Sequence, residues 1–263
     1  MERITSGDAE IAYEILGSGP PVVLLHPFPL NHEFWIPAAQ SLLPRYRLIL
    51  PDLRGHGDSG IGEGPAAMEK HALDLVRVLD HARIGRAPFV GVSIGGYALF
   101  EFWQRFRGRI ASLVLCNTKA QADTQEARTG RLKAAADVLE RGTAPFFESM
   151  IPRVLGKTTR ETRPDLVEGT LRMMRKMSPE DVAQVQRGMA ERQDSVPMLK
   201  TINVPTLLIT GEEDVLTGPP EAELMRQHIP ASTMTVIPRA GHFAAWEQPD
   251  QVGPLLRQFL DRE

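Results

Sequence analysis

The chain reads as an α/β fold in which a mostly parallel, twisted sheet carries helices on both faces and is interrupted by a small helical insertion. Three observations predict this. Short apolar runs ending in turn residues recur as PPVVLLH, YRLILPD, APFVGVS, ASLVLCN, VPTLLITG and STMTVIP. Helical patterns such as AAMEKHALDLVRVLDHARI and GPPEAELMRQHI separate most of them. Strand signals then vanish between residues 119 and 200.

Each element follows from its pattern. Continuous apolar runs are strands buried on both faces, and their alternation with helices requires parallel pairing through crossovers. The opening RITSGDAEIAYEI reads instead as a hairpin turning at Gly7 and Asp8, an antiparallel edge. Between residues 119 and 200, Pro145, Pro164 and Pro179 divide the chain into several short helices. Residues 1–118 and 201–263 are therefore expected to form the core domain and residues 119–200 a helical cap. Leu166, Thr170, Met173, Met174 and Met177 recur at helical spacing and read as the buried face of a cap helix rather than a pocket lining.

Composition narrows the partners. The 263 residues suffice for one large α/β domain, and 42% hydrophobic with 24% charged residues is ordinary for a globular chain. A formal net charge of -3 gives no long-range attraction to nucleic acid or an anionic membrane, which leaves a small molecule as the expected partner. No basic segment followed by an apolar one opens the chain, and no stretch approaches the roughly 18 apolar residues of a membrane span. A cytoplasmic location is expected. The single cysteine, Cys116, lies in the run ASLVLCN and reads as a buried strand residue.

The chemistry is concentrated at GVSIGG. In APFVGVSIGGYALFEFWQRF a β-type run changes to a helical period, which puts Ser93 at a strand-to-helix corner between Gly91 and Gly95. A serine hydroxyl needs exposure and a neighbouring base to act as a nucleophile, and G-x-S-x-G on such a corner supplies the exposure. The acid and base should follow in chain order, at the ends of later strands. Asp214 follows VPTLLITG, with Glu212 and Glu213 as competing carboxylates, and His242 follows STMTVIP in RAGHF. An oxyanion needs preorganised N–H donors. Ile94, directly after Ser93, offers one; in LLHPFPLNHEFW, Pro27 and Pro29 have none, so Phe28 is the better second donor.

GHGDSG, with Gly55, Gly57 and Gly60, matches G-x-G-x-x-G after a strand, but it runs through IGEGP before any helical pattern begins. A structural turn is the expectation there, not a dinucleotide site. Neither HExxH nor paired cysteine spacing occurs, so no metal or organic cofactor is expected.

With these residues placed, the chain resembles the α/β-hydrolase family, particularly its small capped bacterial carboxylesterases and the 3-oxoadipate enol-lactonases. HPFP resembles the family's HGFP loop, DLRGHGDS its D-x-R-G-x-G-x-S turn, GVSIGG its elbow, and GEEDVLTGP and AGHF its acid and histidine loops. The resemblance implies Ser93 as nucleophile, Asp214 as acid, His242 as base, and Phe28 and Ile94 as oxyanion donors. It implies a cofactor-free serine hydrolase cleaving short-chain or aryl carboxylic esters, with enol-lactone hydrolysis as the alternative and carbon–carbon hydrolase or perhydrolase chemistry on the same triad ranked behind it. Pro27 departs from the family's glycine, and Val92 stands where histidine is frequent. A serine at the corner argues against the dehalogenases and epoxide hydrolases, which use aspartate there. Arg128, Arg131, Lys133, Arg172 and Arg175 are candidate partners for a carboxylated lactone, against a plainer reading as exposed helix charges. A ligand-binding module without catalysis is the contrasting reading, though a binder would not need all five positions.

Overall fold

The computed structural model describes residues 1–262. Its eight strands are β1 (Glu2–Ser6), β2 (Ala9–Leu16), β3 (Pro21–Leu25), β4 (Arg47–Pro51), β5 (Ala87–Val92), β6 (Ile110–Cys116), β7 (Thr206–Gly211) and β8 (Ser232–Ile237). They form one sheet in the order β1-β2-β4-β3-β5-β6-β7-β8. β1 and β2 make the expected hairpin, with Gly7 at φ +59 in its turn, and β2 pairs antiparallel with β4. All other neighbours are parallel. Every predicted apolar run is thus a strand, and the central ones are buried on both faces because helices cover them.

The helices are α1 (Ile36–Ala39), α2 (Met68–His81), α3 (Ile94–Phe106), α4 (Gln125–Arg141), α5 (Ala144–Val154), α6 (Lys157–Thr162), α7 (Pro164–Met174), α8 (Pro179–Ala190), α9 (Pro219–His228), α10 (Ala244–Glu247) and α11 (Pro249–Leu260). α2 forms because Met68, Ala72, Leu75, Val78 and Leu79 line one face, all buried against the sheet side. Helices α4 to α8 all lie between β6 and β7. Pro145, Pro164 and Pro179 each stand in the first turn of a helix, where a missing N–H costs no hydrogen bond. At α8 a reciprocal cap adds to this: Asp181 N–H donates to Ser178 Oγ and Ser178 N–H to Asp181 Oδ2. α4 has 17 residues, longer than the short helices expected there; no proline interrupts it.

Strand order fixes where a ligand can sit. From β3 the chain steps to β4 on one side, then returns across β3 to β5 on the other, so β3 and β5 are neighbours with Leu25 opposite Gly91. Chain segments leave the carboxyl ends of these two strands in opposite directions, opening a crevice at the switch point. The residues following β3 and β5 are His26 to Phe28 and Ser93.

Candidate active site

Ser93 connects β5 to α3 with φ 53 and ψ -112, a left-handed conformation that costs a non-glycine residue about 1–3 kcal/mol. Its backbone is held from both sides. Ser93 N–H donates to Cys116 O at 3.1 Å, and Ser93 O accepts from Tyr97 N–H at 3.1 Å and Thr118 Oγ1 at 2.8 Å. The glycines around it are required by close approach: a Cβ on Gly91 would lie 2.7 Å from the Gly95 backbone, and one on Gly95 would lie 2.8 Å from Leu25 O. The start of α3 is thereby pressed against the end of β3. Ile94 is the first residue of α3, so its N–H is one of the donors an α-helix leaves without an internal partner.

Of the three competing carboxylates after β7, only Asp214 meets the histidine. Asp214 Oδ2 lies 2.9 Å from His242 Nδ1, both side chains buried. Asn117 Nδ2 at 2.9 Å and Thr217 Oγ1 at 3.0 Å also donate to Oδ2, while Leu216 N–H and Thr217 N–H donate to Oδ1 at 2.8 and 3.1 Å. Burial alone would raise the Asp214 carboxyl, but the charge and hydrogen bond of His242, with those of Asn117 and Leu216, hold it well below the usual range. Glu212 accepts from Arg239 N–H, and Glu213 from Thr158.

The histidine loop is braced from outside the sheet. Glu247 accepts from Gly241 N–H at 2.9 Å through Oε1 and from Gly156 N–H at 2.8 Å through Oε2. A Cβ on Gly241 would sit 2.3 Å from Gly156 N, so two backbones touch where α5 gives way to α6.

The Phe28 segment is anchored by His26. Leu53 N–H donates to His26 Nε2 at 2.9 Å, which leaves the proton on Nδ1 to donate to Pro27 O at 2.9 Å. Complete burial, with His56 nearby, lowers the His26 pKa to about 3 and keeps the ring neutral. In GHGDSG, Gly57 has φ +53 and its α-carbon faces Asp52, leaving only 2.3 Å between a Cβ and Oδ2. Asp52 itself caps the turn, accepting from His32 N–H and Asp58 N–H. The glycines serve that turn, and the next helix begins only at Met68.

Phe28, Ser93 and His242 all line one cavity of about 470 Å³. No hydrogen bond joins Ser93 Oγ to His242 among the described residues; such contacts commonly tighten only when a substrate is bound. Phe146, Met150, Met189 and Leu216 supply apolar wall, and Lys119, Arg131 and Arg153 supply positive charge. Of the five cationic residues picked out on the sequence, Arg131 alone reaches the cavity; Lys133 pairs with Asp137 and Arg175 with Glu168 away from it. The methionine stripe on and after α7 is buried and does not line the cavity. Asn117, Thr217, Lys119, Arg153 and Glu247 went unpredicted. Asn117 alone carried a signal, a polar residue closing the apolar run of β6, where it takes φ +41.

This sheet, with a serine corner after β5 and an Asp–His pair after β7 and β8, defines a hydrolase architecture. The family model for the alpha/beta hydrolase fold matches residues 20–249, and the chain belongs to that family. It is 28% identical to 3-oxoadipate enol-lactonase 2 of Acinetobacter baylyi, over 99% of this chain and 97% of the relative. Among solved structures it is similar to a malate-bound thermophilic esterase from Thermogutta terrifontis, with 38% identity, TM-score 0.96, and coverage of 100% of this chain and 99% of the other. It is also similar to the enol-lactonase of Burkholderia xenovorans LB400, at 25% identity and TM-score 0.92, covering 99% and 100%. No helix among the described residues is long and apolar enough to cross a membrane.

Proposed function

We propose that the protein hydrolyses small carboxylic esters through an acyl-enzyme on Ser93. The observation that carries this reading is the Asp214–His242 pair ending in the cavity that Ser93 and Phe28 also line. The Ser93 proton passes to His242 Nε2 as Oγ bonds to the ester carbon. The oxyanion takes hydrogen bonds from Phe28 N–H and Ile94 N–H. The imidazolium then gives its proton to the departing alcohol oxygen, and the acyl group remains on Oγ. Water repeats the sequence, giving the carboxylic acid and restoring the serine. Asp214, held as a carboxylate, keeps the His242 proton on Nδ1 and stabilises the imidazolium.

Fluorophosphonate labelling mapped to Ser93, together with turnover of 4-nitrophenyl esters, tests the reading. Both are expected in the native chain and absent in Ser93→Ala; a folded protein inert to both would refute it. Enol-lactone hydrolysis is the second reading, favoured by the full-length likeness to two enol-lactonases. The same acyl-enzyme would open the ring, with the enolate as leaving group. Competition between a neutral 4-nitrophenyl ester and an enol-lactone separates the two readings, and a large preference for the lactone would reverse their order.

A further inference from the structure

Asp214 is offered more hydrogen bonds than it can accept singly. Leu216 N–H and Thr217 N–H reach Oδ1, while Asn117 Nδ2, Thr217 Oγ1 and His242 Nδ1 all lie within 3.0 Å of Oδ2. A carboxylate oxygen has about two lone pairs, so one of the three donors at Oδ2 must share. His242 has a second acceptor in reach: Thr217 Oγ1 lies 3.1 Å from Nδ1, against 2.9 Å to Oδ2. The protons of this triangle can be assigned. Burial works against ionisation of Asp214, but the charge of His242 outweighs it and holds the carboxyl well below the usual range, so Asp214 brings no proton of its own. The 3.0 Å contact between Oδ2 and Thr217 Oγ1 is therefore filled by the hydroxyl proton. The hydroxyl then turns only lone pairs to Nδ1, and that contact requires Nδ1 to carry the ring proton. Asn117, Asp214, Thr217 and His242 are all buried, and Thr217 also lines the cavity that Ser93 faces.

We propose that Thr217 is a positioning residue for the hydrolysis: its hydroxyl gives the His242 Nδ1 proton a second acceptor, which fixes the imidazole plane and with it the line along which Nε2 takes the Ser93 proton. This rests on the hydrolase reading. A ring held by one hydrogen bond can swing about it, whereas two acceptors 3.0 Å apart define a direction. Asn117 enforces the sharing from the other side. One proton of its amide occupies Oδ2, and Nδ2 also donates to Gly241 O at 3.2 Å, tying the carboxylate to the residue before His242.

The test separates the hydroxyl from the methyl. Thr217→Val keeps the shape and removes the hydroxyl, while Thr217→Ser keeps the hydroxyl and removes the methyl. With 4-nitrophenyl butanoate, and rates divided by active sites titrated with a fluorophosphonate, Thr217→Val is expected to lose about tenfold or more in kcat with KM within about twofold, whereas Thr217→Ser stays within about threefold of the native chain. Thr217→Ala, which introduces no new contact, should lose kcat as Thr217→Val does. A residue that only shapes the cavity wall would give the opposite ranking, with KM disturbed in Thr217→Ser and Thr217→Val spared. A second arm avoids turnover: proton NMR of the histidine-labelled chain, with His242 assigned through His242→Gln. The Nδ1 proton is expected to move downfield in Thr217→Val, where Asp214 no longer shares it, and to stay in place in Thr217→Ser. Native kcat in Thr217→Val with an unmoved resonance would overturn the role of Thr217 while leaving the hydrolase reading intact. A resonance that moves as expected in a chain that cleaves no ester would uphold the hold on the imidazole and refute the hydrolase.

Discussion

The corner at Ser93 and the wall formed by α4 and α8 face the same cavity but are held in place by different means. At the corner, backbone meets backbone: Gly91 against Gly95, Gly95 against Leu25, and Ser93 between two main-chain hydrogen bonds. Across the cavity, side chains hold side chains, with Asp123 gathering Lys119, Arg131 and Arg192. Backbone contacts leave almost no room for substitution, whereas a cluster of paired side chains can be rewritten one residue at a time. On the proposed hydrolase reading, the reacting serine belongs to the rigid part and the facing wall to the adjustable part.

The comparison can be broken most severely at the corner. Ser93→Ala is expected to lower kcat by a factor on the order of 10⁶ with an unchanged melting temperature, since only an oxygen is lost. Asp214→Asn should lower kcat by about 10⁴ in the same assay by favouring the wrong imidazole tautomer. That variant should also change the stability profile. The folded-state pKa of Asp214 lies below its ordinary 3.8, so its contribution is present above that value and is lost as pH falls through it. Denaturant titrations from pH 5 to pH 2 should therefore show a shallower acid limb in Asp214→Asn; an unaltered limb would contradict the assigned charge.

Smaller effects sharpen the contrast. Gly95→Ala places a methyl 2.8 Å from Leu25 O, and a loss of about 1–3 kcal/mol is expected in chemical denaturation, accompanied by lower turnover. Glu247→Gln retains the shape but presents an amide where two N–H donors point, for an expected cost of about 1–3 kcal/mol. Lys133→Ala, on the outer side of α4 and paired only with Asp137, should change stability by less than about 0.5 kcal/mol and leave turnover alone. If Lys133→Ala proved as damaging as Gly95→Ala, the division between rigid and adjustable regions would fail.

How much was legible in the sequence follows the same division. β3 to β7 were visible as apolar runs because burial on both faces leaves a local signature, whereas β8, read the same way, is an edge strand with only Ile237 fully buried and was visible through its β-branched residues alone. Ser93, Asp214 and His242 were visible because each follows a strand end, and strand ends are marked in the chain. The bracing contacts were not. Glu247 and Gly156 stand 91 positions apart with no shared pattern, and only the folded chain brings them together. The cationic wall was half read for a related reason. Arg131 and Lys133 look equivalent in the sequence, but a two-residue step rotates a side chain by more than half a turn around a helix, so one faces the cavity and the other does not.

The contact between Gly156 and Gly241 has a practical corollary for anyone exchanging insertions among enzymes of this architecture. The segment that carries α4 to α8 also props up the loop presenting the imidazole, through Glu247. A graft spanning residues 119–200 would import a foreign prop. Chimeras should keep turnover only when residues 156, 241 and 247 travel together as a matched set.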